Sequence, residues 1–384
     1  MKKFFVSSIL VQIVCVMTFA QTAYSQLDLN TLLEMSSNGD ACATDAIGDC
    51  YYNGSGGAKI DHDVAITYYK KALPGLEALA REGNAEAMNR LAGAYTFEDV
   101  YGTVDYNKAF NLYMKAAKLG HAAAQNNLGT CYQFGNGTTV DYNEAFIWYL
   151  KSAEQGYAGA MLSLGYMYDS GQGLENNMQK AIEWYEKAAA TGNRTAISNL
   201  GYIYWSGKGV PVDYEKSRSY YEQLAERGDG EALNYVGFCY YDGLGVEQDY
   251  SMAYKYYVKS ANAGYALGQY NLGNCYQYGK GIEKDYKKAF EWYQKAANQG
   301  DKYGQVGVGD CYRYGMGAPS NGYQAYVWYQ KAADQGYAVA INRVGELFRD
   351  GFGVHQNKNK AREFFQRAAA MGNKEAQTNL NNLH

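Results

Sequence analysis

Residues 273–281 read GNCYQYGKG and place a thiol, two phenols and an amine within nine positions. Cys275, Tyr276 and Lys280 are residue types that act as nucleophiles or as general acids and bases, so the stretch could belong to a catalytic site. Similar sequences occur three more times, as GTCYQFGNG at 129–137, GFCYYDGLG at 237–245 and GDCYRYGMG at 309–317. Because catalytic chemistry is rarely repeated four times in one chain, we interpret the stretch mainly as scaffold.

The repeated motif recurs with a strict period along the chain. A glycine recurs every 36 residues from Gly120 to Gly372, and a second glycine follows nine residues after each of them up to Gly345. A fixed period of this length is typical of a solenoid. In the unit that begins at His121, Ala124 and the residues four, seven and eight positions later lie on one face of a helix, which we call helix A.

Each helix A is followed by a turn and a second helix. Gly135 and Gly137 form a G-x-G turn, because glycine adopts the left-handed conformation that a helix end needs. Asp141 and its equivalents can then cap helix B, which carries Ala145 and Tyr149 on one face. The sequence therefore predicts a helix, a glycine turn, a capped helix and a closing glycine in each unit.

The pattern L-G-x-x-Y, G-x-G, D-Y-x-x-A, W-Y-x-K-A-A and a closing glycine resembles the Sel-one-like repeat, a relative of the tetratricopeptide repeat. This resemblance covers residues 39–372 and implies an all-α, right-handed superhelical α/α solenoid of about nine helix-pair repeats. Two units depart from the pattern. The unit after Gly83 has FEDVYGTV in place of the G-x-G turn, and the first unit has extra residues around Pro74 and Gly75. We expect atypical loops in both units.

The N-terminus has the plan of a secretory signal peptide, with Lys2 and Lys3 before an apolar run. Ala23 and Ser25 would occupy positions −3 and −1 of a cut before Gln26, and an uncleaved anchor is the alternative. We predict a protein that is exported to the periplasm or secreted, with no transmembrane span in the mature chain. Its predicted parts are a signal peptide at 1–25, an N-terminal capping helix at 26–38, the repeat solenoid at 39–372 and a C-terminal capping helix at 373–384.

Charge and histidine content exclude several kinds of function. The chain has 35 basic and 39 acidic side chains and no basic run, so it has no footprint for nucleic acid. His62, His121, His355 and His384 fall at different positions of the repeat, so they form no evident metal cluster and supply no base for a Ser-His-Asp arrangement. We therefore predict no catalytic residue, no metal site and no cofactor.

Five cysteines share one position of helix A, which we call their register. Other units place Met167, Ile203 and Leu347 there, so cysteine is expected to pack in the core as a small hydrophobic residue. Cysteines one repeat apart are too distant for a disulfide, and so are Cys42 and Cys50 on one helix. The five core cysteines are Cys50, Cys131, Cys239, Cys275 and Cys311.

The candidate binding residues lie beside the core on helix A, because the A helices of such a solenoid line its concave surface. In the registers of Thr130 and Gln133 this surface is aromatic in the middle of the chain and charged in the last third, as a groove for an extended peptide or a sugar chain would be. The alternative is that the rings only pad neighbouring A helices against each other. The predicted site comprises Tyr166, Asp169, Tyr202, Trp205, Phe238, Tyr241, Tyr270, Gln277, Tyr278, Arg313, Tyr314 and Arg349.

The resemblance also implies a function. Proteins with such repeats are usually non-catalytic adaptors that hold partner proteins, so we expect an exported scaffold for a protein or peptide partner. A module that binds carbohydrate or peptidoglycan fragments of the cell wall is the second interpretation. A weak hydrolase of β-lactam-like compounds is the third, suggested by cysteine-rich relatives whose cysteine pattern this chain lacks.

Overall fold

The structure, a computed structural model, describes residues 24–383. Within these residues the regular secondary structure consists of 21 α-helices and contains no strand. The chain divides into two compact units between Leu200 and Gly201. None of the helices in the described range is long and apolar enough to cross a lipid bilayer.

The helices of the first unit are α1 (Leu29–Ser37), α2 (Ala41–Asn53), α3 (His62–Arg81), α4 (Ala85–Ala94), α5 (Glu98–Tyr101), α6 (Tyr106–Lys118), α7 (Ala122–Phe134), α8 (Tyr142–Glu154), α9 (Ala158–Ser170) and α10 (Met178–Ala190). The point of division lies within α11 (Arg194–Ser206). The second unit continues with α12 (Tyr214–Ala225), α13 (Gly230–Asp242), α14 (Tyr250–Asn262), α15 (Ala266–Tyr278), α16 (Tyr286–Asn298), α17 (Lys302–Tyr314), α18 (Gly322–Asp334), α19 (Ala338–Asp350), α20 (Lys358–Ala370) and α21 (Lys374–Asn381).

Nine helix pairs make up the repeats. The A helices are α2, α4, α7, α9, α11, α13, α15, α17 and α19, and each is followed by its B helix, with the short α5 inserted between α4 and α6. The prediction of an all-α solenoid of about nine helix pairs is confirmed. α1 lies within the segment 26–38, and α21 lies within 373–384. Of the predicted signal peptide, only Tyr24 and Ser25 belong to the described residues.

The turn between A and B has the predicted chemistry. Gly135 ends α7 with φ of 75°, and Gly137 follows with φ of 73°. A side chain at 137 is also impossible, because a Cβ atom there would lie 2.1 Å from the carbonyl oxygen of Tyr106. Asp141 then caps α8, since its Oδ1 accepts the backbone N–H groups of Asn143 and Glu144 at 3.0 Å. The prediction that aspartate caps helix B holds also for Asp105, Asp213, Asp249 and Asp285.

The glycine inside helix A is required by packing. A Cβ atom on Gly129 would lie 2.8 Å from Cδ1 of Tyr149, which is buried on α8. The same approach of a B-helix ring to an A-helix glycine recurs in seven other repeats, between the pairs Gly48/Tyr69, Gly165/Tyr185, Gly201/Tyr221, Gly237/Tyr257, Gly273/Tyr293, Gly309/Tyr329 and Gly345/Phe365. The absence of a side chain thus lets each ring approach the backbone of helix A in the same repeat.

The first repeat is lengthened within its B helix. α3 has 20 residues, whereas the other B helices have 12 or 13, and Pro74 and Gly75 lie inside it. The residues around Pro74 and Gly75 lie in a helix and not in a loop, because they add almost two helical turns and keep Tyr69 and Leu76 on the buried face. The atypical loop of the first repeat is the turn between α2 and α3, which has eight residues at 54–61 against seven at 135–141. The second repeat also has the predicted atypical loop, which contains α5.

Candidate binding surface

The registers of Thr130 and Gln133 lie within hydrogen-bonding distance of a core tyrosine on helix B. Tyr149 Oη is 3.0 Å from Thr130 Oγ1 and donates to Gln133 Oε1 at 2.7 Å. Tyr293 makes the equivalent contact with Gln277, and Tyr329 donates to Asp310 Oδ1 at 2.5 Å. These two registers therefore help to join the helices of one repeat, a role that the sequence analysis did not assign to Gln277 or its equivalents.

Two predicted site residues lie in the first unit. Tyr166 and Asp169 are half-buried on α9. Asp169 also contributes to the electrostatics of the core, since burial and then its nearby charge raise the pKa of Tyr185. The backbone carbonyl of Asp169 accepts a hydrogen bond from the side chain of Asn176, in the turn that leads to α10. Tyr166 and Asp169 thus lie at the edge of the core of their own repeat.

Trp205 packs against neighbouring rings in the second unit. Its ring centroid lies 4.9 Å from that of Tyr214 and 5.1 Å from that of Tyr235. Phe238, half-buried on α13, is 5.9 Å away. Tyr202, on the same helix as Trp205, is also half-buried. The contacts of Trp205 thus join α11 to both α12 and α13, as the padding interpretation requires.

Tyr241 and Tyr270 have similar surroundings. Tyr241 lies 5.1 Å from Tyr250, which begins the B helix of the same repeat. Tyr270 lies 5.7 Å from both Tyr293 and Tyr303, so it bridges α16 and α17. Burial raises the pKa of both phenols. The ring contacts favour padding between helices for these two residues as well.

The predicted charged residues at the end of the chain are tied into an ion-pair network. Arg313 on α17 pairs with Glu346 on α19, and its second amino group lies 3.4 Å from Asp350. Arg349 pairs with Asp350 at 2.7 Å and donates to Asn379 of α21 at 3.0 Å. These residues therefore hold successive A helices together, a role that their register alone does not indicate.

Glu346 is the centre of this network and is only 4% exposed. Arg343 donates to it at 3.0 Å from the same helix, and Asn342 and Asn379 also donate to Oε1. Burial alone raises the pKa of Glu346, but the hydrogen bond from Arg313 and the charges of both arginines lower it below its usual value. Glu346 is therefore held as a carboxylate inside the protein.

Tyr278 and Tyr314 differ from the other predicted residues in their exposure. They are 58% and 56% exposed. Both are the last residue of their A helix, so they occupy one register of the successive helices α15 and α17. The guanidinium of Arg313 lies 5.3 Å from the ring centre of Tyr314. Together they present two phenol rings, a repeat apart, beside a cation that is already paired.

An unpredicted cluster of charged residues lies in the first unit. Arg90, 8% exposed on α4, contacts Asp45 at 2.7 Å, Asp49 at 3.1 Å and Glu86 at 2.5 Å. The sequence did carry a signal, because Arg90 shares a register with Arg343, where most other units have asparagine, serine or tyrosine. In both cases an arginine on helix A faces an aspartate of the preceding A helix, since Arg343 lies 3.9 Å from Asp310.

Cysteine and histidine have structural surroundings. The cysteines of the described range, Cys42 and the five predicted core residues, are all buried and free of disulfides, as predicted. Burial raises the pKa of the Cys275 thiol to about 12. His121 caps α7 through Nδ1, and its Nε2 lies 2.8 Å from Glu86. Among residues 24–383 no group of three or more histidine, cysteine, aspartate and glutamate residues is arranged to hold a metal ion.

The fold and the packing of glycine against tyrosine define a solenoid of helix pairs, and comparison with known proteins identifies its family. The model of the Sel1 repeat matches nine segments, at 43–73, 85–121, 122–157, 158–193, 195–229, 230–265, 266–301, 302–337 and 338–373. The chain belongs to the Sel1 repeat family, as the sequence pattern predicted. Members of this family generally mediate protein–protein interactions.

Two solved structures are similar over most of the chain. Protein c5321 of uropathogenic Escherichia coli, described as a protective antigen with an SLR fold, is 31% identical, with 92% of this chain and 82% of that chain covered at a TM-score of 0.60. A Sel1 repeat protein from Oxalobacter formigenes is 30% identical, with 83% and 94% covered at a TM-score of 0.66. None of the curated protein sequences compared with the chain matches it significantly.

Proposed function

We propose that the protein is an exported, non-catalytic scaffold that binds a protein partner through the A-helix surface of its second unit. The observation that carries this proposal is the pair of exposed rings, Tyr278 and Tyr314, in one register of successive repeats. Other large aromatic residues of the predicted surface, such as Trp205 and Tyr270, pack against rings of the protein itself. The two exposed tyrosines are thus the part of the predicted surface that remains available to a partner.

The spacing and chemistry of the two rings suit a protein segment. Helices of successive repeats pack about 10 Å apart, and an extended peptide covers this distance in about three residues. Tyrosine is enriched among the residues that dominate binding energy, because its ring is large and rigid and its hydroxyl can hydrogen-bond at the interface. A partner segment with apolar side chains three residues apart could therefore contact both rings at once.

The paired charges beside the rings limit what the partner can gain from electrostatics. Arg313 adjoins Tyr314 but already contacts Glu346 and Asp350. A partner carboxylate would have to compete with these two acceptors. We therefore place most of the binding energy in the rings and expect a weak dependence of affinity on salt.

A cell-wall glycan is the other candidate ligand, because an exposed phenol ring also stacks on a sugar ring. The same two tyrosines would serve both ligands, so exposure alone does not separate them. The two candidate ligands can be separated by digesting the glycans in the captured material. A protein that still binds after this digestion supports the function as a scaffold for a protein partner. Retention of glycan fragments without a protein would contradict it.

The test compares the wild-type protein with the double variant Tyr278→Ala/Tyr314→Ala. Partners are captured from the organism's own envelope and culture medium, identified, purified and titrated against each form. We expect the double variant to bind the captured protein at least tenfold more weakly, because each anchor ring contributes about 1 to 3 kcal/mol. Tyr323→Ala, a change of a 62% exposed tyrosine on the B helix α18, is the matched control and should bind as wild type. Equal binding by the double variant would contradict the proposed surface.

A further inference from the structure

Tyr24 is integrated into the first unit although it precedes the first helix. Its hydroxyl donates a hydrogen bond to Asp40 Oδ2 at 3.0 Å, and its ring centre lies 5.3 Å from the guanidinium carbon of Arg90. The ring also packs against the buried cluster that contains Ala41 and Cys42. A residue with these three contacts is part of the folded domain.

The contacts of Tyr24 lie at a sensitive place. Asp40 caps α2 by accepting the backbone N–H of Ala43 at 2.9 Å, so Tyr24 holds the capping side chain. Arg90 is buried among three carboxylates, whose combined charge exceeds its own. An aromatic face beside a buried guanidinium stabilises the cation and keeps water from it. Tyr24 therefore connects the start of α2 to the charged cluster.

Burial and neighbouring groups act on the carboxyl groups of the cluster. Burial raises the pKa of Asp45 to about 7, although Arg90 opposes this change. Asp49 also accepts a hydrogen bond from Tyr69 at 3.0 Å, and Glu86 contacts His121 at 2.8 Å. Each carboxylate thus has a partner within the protein besides Tyr24, and Tyr24 lies over the guanidinium of Arg90.

Two cuts place alanine or serine at position −1 and a small residue at position −3. A cut before Gln26 places Ala23 and Ser25 there, and a cut before Gln21 places Thr18 and Ala20 there. A cut after Ala23 would place Gln21, which is not small, at −3. The sequence alone does not separate the first two, but only the cut before Gln21 leaves Tyr24 in the mature chain.

We propose that the leader is removed between Ala20 and Gln21, so that Tyr24 stays in the mature protein and closes the buried Arg90 cluster. This inference rests on the proposed export of the protein. It differs from the boundary expected from the sequence, a signal peptide at 1–25, which would remove Tyr24 together with the leader. The mature chain then begins three residues before Tyr24.

The first experiment measures the intact mass and N-terminal peptide of the protein recovered from the periplasm or the medium. We expect a chain that begins at Gln21. A chain that begins at Gln26 would overturn the proposed cleavage while it supports export. A soluble cytoplasmic protein that retains Met1 would contradict both export and cleavage, and the role of Tyr24 is measured independently by the second experiment.

The second experiment compares purified chains 21–384 and 26–384. We expect the shorter chain to melt about 2 to 4 °C lower, with faster amide exchange in α2 and α4, because it lacks the contacts to Asp40 and Arg90. Tyr24→Phe in the longer chain keeps the ring and should show a smaller shift than Tyr24→Ala. Tyr106→Ala, which truncates an exposed tyrosine of the same unit, should melt as wild type. Identical melting and exchange of the two chains would overturn the role of Tyr24.

Discussion

The hydroxyl of Tyr293 on α16 lies 2.7 Å from Oδ1 of Asn274 on α15, the A helix of the same repeat. Gln277, one turn further along α15, offers a second acceptor at 2.5 Å. The ring of this tyrosine meanwhile covers Gly273. One side chain thus joins the two helices of a repeat by the close contact of its ring with Gly273 and by the hydrogen bond of its hydroxyl.

Tyr293→Phe tests the polar contact. Removal of the hydroxyl leaves Asn274 and Gln277 without their shared donor, so we expect the free energy of unfolding to fall by about 0.5 to 1.5 kcal/mol. Chemical denaturation followed by far-ultraviolet circular dichroism measures the change. Tyr286→Phe, at a 40% exposed position, is the control and should have no effect. A Tyr293→Phe protein as stable as wild type would show that the hydrogen bond contributes nothing.

Gly273→Ala tests the apolar contact. An added Cβ atom would lie 2.5 Å from Cε1 of Tyr293, so the ring or the helix must move, and we expect a loss of about 1 to 3 kcal/mol. The same substitution in a Tyr293→Leu background should cost less, because the flat ring is then absent. Equal costs in both backgrounds, measured by denaturant unfolding, would mean that the glycine is needed for another reason.

The buried thiols should make stability depend on alkaline pH. Burial raises the pKa of Cys275 from 9.0 to about 12, so its neutral form is favoured in the folded state. Between pH 9 and 12 only the unfolded chain releases this proton. The contribution of the Cys275 thiol to stability is therefore complete below pH 9 and is lost as the pH rises towards 12. We expect slow alkylation of the folded protein at pH 8 and rapid alkylation in denaturant. Rapid labelling without denaturant would contradict the core position.

Cys275→Asp is a more severe change at the same position. A carboxylate would replace a buried, nearly apolar side chain without a partner, so we expect a loss of about 2 to 4 kcal/mol. Thermal unfolding measures it, and Cys275→Ala, which leaves a small apolar side chain, should lose less. An aspartate variant that is as stable as the alanine variant would indicate that water reaches this register.

Trp205→Ala separates padding from binding. The ring contacts Tyr214, Tyr235 and Phe238, so its loss should lower the stability by about 2 kcal/mol while most helical signal remains. We expect little specific effect on binding of the partner, in contrast to the changes at Tyr278 and Tyr314. A variant that melts as wild type but loses the partner would restore Trp205 to the binding surface.

Arg313→Glu would place a second carboxylate beside Glu346 and Asp350. Since Glu346 is buried, we expect a loss of about 3 kcal/mol in stability. A charge reversal here therefore cannot report on a partner's charge without a correction for folding. Lys287→Glu, at an exposed position of α16, should change stability by less than about 0.5 kcal/mol. Similar melting of both variants would show that the ion pair contributes little.

The sequence was sufficient for the repeating parts of the fold. The period located the helix pairs, and the local chemistry of Gly135 and Asp141 located the turns and caps, since these interactions involve residues close in sequence. The cysteine register was also predictable, because Met167 and Leu347 occupy it elsewhere. Each position of the repeat occurs in several units, so its role could be inferred from several residues at once.

The candidate surface was less predictable because the exposure of its side chains depends on contacts between different helices. The register of Trp205 did not indicate that Tyr235 and Phe238 would cover its ring. Likewise the register of Arg313 predicts a surface cation, whereas Glu346, 33 residues away in the sequence, pairs with it. Side chains of one register thus differ in exposure according to what the next repeat contributes, and a single unit does not contain that information.

The long helix α3 shows how this architecture accommodates changes in length. Its seven extra residues, 20 against 13, rotate the chain by about 700°, which is only about 20° short of two full turns. An insertion of three or four residues gives about one turn and of eleven about three, whereas five or nine would turn the apolar side of α3 towards water. The helices of this protein should thus tolerate insertions that add a whole number of turns. In a library of insertions at Pro74, the fraction of folded variants should rise and fall with the rotation that each insertion adds.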